Sequence, residues 1–218
     1  MAGCIYCVDN DILKKLATFQ LFDSTLKIFH ITYQNVKILG TAKYKFRNSR
    51  KKIKSGRSRQ ASDEVINWDR LIRLTETLPC IENTEIDLNL FAQLSEYKDI
   101  DAGEAELVCQ AISLIQKDKL AQIFTGDKRF IKALAKVDLQ PVHDALKNRI
   151  LCLEQIVLKN IENLGFEEIR HLVAPVRECD KSIKSVFGSG IHTDKDNAVS
   201  TLNGYISDLR KDSNSLLR

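Results

Sequence analysis

"GCIYCVDNDILKKLATFQLF", residues 3–22, decides the fold. Its first six residues carry no charge, and from residue 12 the side chains Ile12, Leu13, Leu16, Phe19 and Leu21 recur at helical spacing. The stretch predicts a short buried strand over 3–8 that runs into a helix over 11–22. Continuous apolar character in so short a strand points to a parallel sheet covered on both faces.

The pattern repeats outward. "LKIFHI", 26–31, predicts a second strand, and "TYQNVKILG" a short helix ended by Gly40. A helix follows through "EVINWDRLIRL", with Ser62 or Asp63 as its cap and Trp68 and Leu71 on its apolar side. Another spans 84–97 with Thr84 as cap. After the helix over 102–117 come a strand in "QIFTGD", 122–127, a helix in "KRFIKALAKV", and a strand opening "RILCLEQIV", 149–157. Strands alternating with helices predict an α/β domain over 1–157, a parallel sheet flanked by helices. Residues 158–218 hold helical patterns only. They predict an α-helical C-terminal extension, whose last helix shows Ala198, Leu202, Tyr205, Ile206 and Leu209 on one face behind Asp194.

The length of 218 residues suits one large domain, or one with such an extension. No apolar run approaches the roughly 20 residues of a membrane span, so no membrane partner is expected. The start, "MAGCIYCVDND", lacks a basic region and an apolar core before a cleavage site, which predicts a cytoplasmic protein. The six cysteines fit that compartment as reduced thiols. Cys4 and Cys7 have the spacing of a metal or redox pair, but positions three apart on a strand face opposite sides.

Charge is uneven. Residues 43–60, "KYKFRNSRKKIKSGRSRQ", hold Lys43, Lys45, Arg47, Arg50, Lys51, Lys52, Lys54, Arg57 and Arg59 with no acid. The block reads as a basic insertion outside the core that contacts a polyanion, by nature a nucleic acid. Tyr44 and Phe46 lie among the cations, as base stacking on a single strand requires.

The acids form the second pattern. "DAGEAELVCQAI", 101–112, places Asp101, Glu104 and Glu106 at the start of an otherwise apolar helix. Two readings stand. Asp101 at the N-cap and Glu104 at the third helical position make a capping box. A helical wheel also places Glu104 inward, with Val108, Ala111, Ile112 and Ile115, while Glu106 falls on the opposite side with Gln110 and Ser113. An inward carboxylate must be paired, protonated or bound to a cation. Asp9 and Asp127 each follow a predicted strand, on the sheet edge where ligands collect. Carboxylates about 4 Å apart repel by roughly 4 kcal/mol at an effective dielectric of 20. Hard oxygen donors without an organised Cys/His set predict Mg²⁺ or Mn²⁺ as the ion that relieves this.

At "VDND", "DAGEAELVCQA" and "IFTGDKRF", in that order, residues 1–155 resemble the PIN-domain nucleases. The resemblance implies a PIN-like α/β fold, an acidic pocket holding Mg²⁺ or Mn²⁺, and phosphodiester hydrolysis, in RNA rather than DNA. Many members are toxins or defence effectors, so it also implies a protein regulator or antitoxin. By motif, Asp9 matches the first-strand acid, Glu104 and Glu106 the paired acids of a "GEAE" branch, and Asp127 the final acid. Asp9, Glu104 and Asp127 are then the catalytic set, with Glu106 as a further metal ligand. One departure is plain: the segment that carries another acid in many members reads "TYQNVKIL" here, with Gln34 and Asn35. Asp63 or Glu64 are the acids open to substitute.

Two rivals remain. A degraded PIN-like module would bind nucleic acid or a protein without cutting. A nucleotide-binding sheet would need a glycine-rich loop after the first strand, where "VDND" has none. The C-terminal helices suit a homo-oligomer contact or a regulator, and His171 and His192 read as ordinary polar residues.

Overall fold

A computed structural model describes residues 4–56, 61–81, 86–117 and 119–218. Among them the chain forms β1 (Ile5–Val8), α1 (Asn10–Thr18), α2 (Phe22–Ile28), β2 (Val36–Ile38), α3 (Ala42–Lys54), α4 (Ala61–Glu64), α5 (Trp68–Thr77), α6 (Leu88–Ser95) and α7 (Ala102–Gln116). There follow β3 (Ala121–Thr125), α8 (Lys128–Leu134), α9 (Gln140–Leu146), β4 (Ile150–Cys152), α10 (Leu153–Leu164), α11 (Phe166–Val173), α12 (Lys181–Val186) and α13 (Lys195–Asp212). The fold is α/β: four parallel strands in the order β2-β1-β3-β4, with helices on both faces.

Alternation along each strand sorts the core into two layers. Tyr6 and Val8 of β1 and Phe124 of β3 face one layer with Ile12, Leu16 and Ile156. Cys7 and Ile123 face the other with Val108, Phe130 and Leu146. Both sheet edges are closed by a single parallel bridge, Ile38 to Cys80 and Ile150 to Leu217, which shields backbone groups that would otherwise template another chain. No helix among the described residues is long and apolar enough to cross a membrane.

The sequence misplaces the second strand. Residues 26–31 are not a strand: Phe22, Thr25 and Leu26 are buried at helical spacing in α2. The left-handed Gln20, φ 59°, ends α1 and starts this second helix. The strand comes later, where a helix was expected, with Val36 and Ile38 buried on either side of Lys37. A run such as "LKIFHI" fits both periods, and packing on α10 decides it.

Three helices differ in extent. "EVINWDRLIRL" is two pieces, and Asn67 starts the second by accepting from the Arg70 N–H. The helix expected over 84–97 begins at Leu88, capped by Asp87; Thr84 lies outside the described residues. The basic stretch, expected as an insertion outside the core, packs onto it. Through residue 54 it is α3, with Ala42 and Phe46 buried; Arg57 and Arg59 lie outside the described residues.

The position expected to separate domain from extension, 157/158, falls inside α10. Phe166, Ile169, Ile183, Phe187 and Leu202 beyond it share a core with Ile12 and Leu16 of α1. Among the described residues all six cysteines are free thiols, with Cys7, Cys109, Cys152 and Cys179 buried.

Candidate active site

Strand order places the site. β1 connects onward to β2 on one side and its neighbour β3 connects to β4 on the other, so the connections leave these adjacent strands in opposite directions and open a crevice between their carboxyl ends. Asp9 follows β1 and Asp127 closely follows β3. α7 packs on β3 and leads back into that strand's amino end, so its own start lies at the strands' carboxyl edge. Asp101 and Glu104 in its first turn are brought to the same place. Asp9, Glu104 and Asp127 line one cleft of about 180 Å³, together with Asp101 and Asp11. Glu106 is not among the residues lining it, as the wheel leads one to expect. The wheel errs on Gln110, which is buried because α7 packs on β1, β3, α6 and α9.

The three acids are held differently. Asp9 stands at the N-cap of α1 but makes no side-chain cap hydrogen bond; its carboxylate accepts from the Thr125 hydroxyl at 3.2 Å. Glu104 completes the capping box: it accepts from the Asp101 N–H at 2.8 Å, and Asp101 accepts from the Glu104 N–H at 2.8 Å. Asp127 caps α8 by accepting from the Arg129 and Phe130 N–H groups and meets the Arg129 guanidinium at 3.1 Å. The expected capping box thus forms at Asp101 and Glu104, Asp127 caps α8 as well, and Asp9 bonds Thr125 while the Asp11 backbone N–H only partly offsets its rise.

Electrostatics record how close these groups lie. Burial first, then the Asp11 charge, raises Asp9 to about 6. Burial raises Glu104 to about 8, against the Asp101 N–H, and the charges of Asp101, Asp9 and Asp127 add to the rise. Burial also raises Asp127, but the Arg129 side chain and the capping N–H groups outweigh it and leave a net lowering. Glu106 is raised by burial alone.

The donor set fits a hard divalent ion in chemistry: anionic oxygens, joined by the buried Asn10 Oδ1, which has no hydrogen-bond partner among the described residues and belongs to a residue lining the same cleft. Preassembly is what it lacks. Among the described residues no three Asp, Glu, His or Cys side chains are grouped to share an ion, because Glu104 and Asp127 are turned into their caps. Nor does Asp63 or Glu64 supply the missing acid: Asp63 lines a different groove, and Glu64 is exposed.

A buried ion network underlies the cleft. Lys15, 6% exposed, pairs with Asp11 and with Asp180 at 2.7 Å. The two carboxylates overcome desolvation and raise Lys15; Asp180, despite its own burial, is lowered to about 2 by Lys15. The Ser182 hydroxyl lies 2.6 Å from both Asp180 and the buried Glu154, which pairs with Lys128 at 2.5 Å. Gly126 is the point of closest approach. A Cβ there would meet Asp11 Oδ2 at 2.6 Å and Lys15 Nζ at 2.9 Å.

No family model, curated protein or solved structure matches the chain.

The basic helix divides by face. Lys43, Arg47 and Arg50 form one stripe and pair with Glu76 and Asp69 of α5. They fasten α3 to α5, and those charges are largely spent. Lys45 and Lys52 lie on the other flank, exposed and without an ion pair among the described residues; Lys51 and Lys54 are exposed too. Lys45 reaches the rim of the acidic cleft, as does Lys14 of α1. Sequence reasoning passed over Asn10, Lys14 and Lys15. Asn10 was legible only as the middle of "DND", and the lysines need the folded geometry to be seen.

Proposed function

We propose that this chain is a PIN-like, metal-dependent nuclease that hydrolyses phosphodiester bonds in RNA. The reading rests on one observation above all. Acids from three separate elements line one cleft at the sheet's switch point, where burial above all, with smaller contributions from the neighbouring charges, lifts Glu104 to about 8. Such a site favours binding a divalent cation over standing as it is. The resemblance at "VDND", "DAGEAELVCQA" and "IFTGDKRF" supplies the substrate class and the toxin or defence setting.

Asp9, Glu104 and Asp127, with the Asn10 carbonyl, would hold Mg²⁺ or Mn²⁺. A bound ion there supplies a Lewis acid that neutralises the phosphate and lets water attack near neutral pH. Thr125 keeps the Asp9 carboxylate aimed across β3. Lys45 at the rim, without an ion pair among the described residues, would hold a phosphate oxygen, while Lys14 beside it pairs with Asp11. Incubating the protein with labelled RNA and single-stranded DNA, with and without Mn²⁺, tests the reading: RNA should be cut only with the ion. Equal cutting without it would refute it.

A second reading has a specific observation behind it. Glu104 and Asp127 are engaged as helix caps, and no acid follows the 3-10 turn at Tyr33–Asn35. A binding-only module would keep both features and would show no Mn²⁺-dependent rise in melting temperature.

A further inference from the structure

The acidic cleft does not end at Lys45. Lys14, Lys45 and Phe46 line it and also line an adjoining groove of about 180 Å³. The far side of that groove is built from Ser49, Lys52 and Trp68. Lys45, Ser49 and Lys52 share a flank of α3, at i, i+4 and i+7. Trp68 opens α5, half-buried, with its indole N–H donating to the Asp63 backbone carbonyl at 3.4 Å. The lining therefore joins three lysines and Asp63 to two aromatic rings, Phe46 and Trp68, of which Phe46 is buried. The volume is below the roughly 300 Å³ at which drug-sized sites begin, and suits one unstacked base better than a base pair.

We infer that this groove is a subsite for single-stranded nucleic acid: Lys45 and Lys52 hold backbone phosphates, and Trp68 stacks one base displaced from the cleaved bond. The inference rests on the nuclease reading for its substrate, and adds which cations meet it. Lys45 and Lys52 do; Arg47 and Arg50, committed to α5, do not. An aromatic face beside a cationic track is how single strands are held without sequence readout.

The chain has one tryptophan, so its emission reports this groove alone. With divalent ions chelated, an oligouridylate should quench it. Inorganic polyphosphate, charged but without bases, should bind without quenching. By anisotropy of the labelled oligonucleotide, Lys45→Ala with Lys52→Ala should weaken binding at least tenfold and reduce the salt slope by about 1.4, or roughly 0.7 per phosphate. Arg47→Ala with Arg50→Ala should leave both unchanged. Trp68→Leu should weaken binding about tenfold, and Trp68→Phe should restore it. Absence of quenching, or unaltered binding in the Lys45/Lys52 variant, overturns the groove. The two ideas fail separately: Mn²⁺-dependent cleavage indifferent to Lys45, Lys52 and Trp68 sinks the groove alone, while quenching without cleavage sinks the nuclease reading alone.

Discussion

Asp9 is the residue on which chemistry and stability oppose each other. It forgoes its cap and sits raised at about 6 beside Asp11. Asp9→Asn should therefore abolish Mn²⁺-dependent RNA cleavage while leaving the melting temperature unchanged or higher. A variant that cuts as well as the parent contradicts its role. The pH sign follows from the same shifts. Asp9 and Glu104 both hold protons more tightly when folded, so their contribution is full below about pH 4 and is lost as pH rises through about 6 and about 8. Thermal melts should show the double variant Asp9→Asn/Glu104→Gln losing less stability than the parent between pH 5 and 8. At this scale much was legible: strand ends and the helical wheel pointed Asp9, Glu104 and Asp127 to one edge, where they line a single cleft. What spacing cannot tell is whether a carboxylate at a helix start turns to its own N–H groups or to a neighbour, since that depends on rotamers fixed by Thr125 and Arg129.

Among elements, α3 is where composition misleads most. Nine cations without an acid read as an insertion outside the core, because the partners of Lys43, Arg47 and Arg50 lie on α5, 33, 29 and 19 residues further along the sequence. Exposed pairs of this kind are worth little, so Arg47→Ala or Arg50→Ala should cost about 0.5 kcal/mol in urea melts. The buried cation of α1 is another matter. Lys15→Ala leaves Asp11 and Asp180 facing one another and should cost about 3–5 kcal/mol by the same measurement; a loss below 1 kcal/mol would mean the network contributes nothing. The exchange of helix and strand over 22–38 has a similar origin. "LKIFHI" satisfies either period, and the contact of α2 with α10, residues distant in sequence, chooses between them.

The molecule as a whole is tied together from its far end. Asp180 of the C-terminal helices neutralises Lys15 beneath the cleft, and Leu216 and Leu217, 0% and 3% exposed, finish the β4 edge. Deleting residues 215–218 should cost on the order of 5 kcal/mol, seen as a lower urea midpoint. The α/β class could be read from the alternation of short apolar runs and helical patterns. The place of the last 60 residues could not, since an amphipathic stripe reveals a buried face but not what buries it.

Under the proposed function, Asp9, Glu104 and Asp127 act together on one divalent ion. Calorimetric titration of the full chain with Mn²⁺ at pH 6 and pH 8 tests it most directly. The parent should bind, more tightly at pH 8 as Asp9 and Glu104 release their protons, and Asp9→Asn and Glu104→Gln should each weaken binding at least tenfold. Undetectable binding by the parent, or equal binding by both variants, would contradict it.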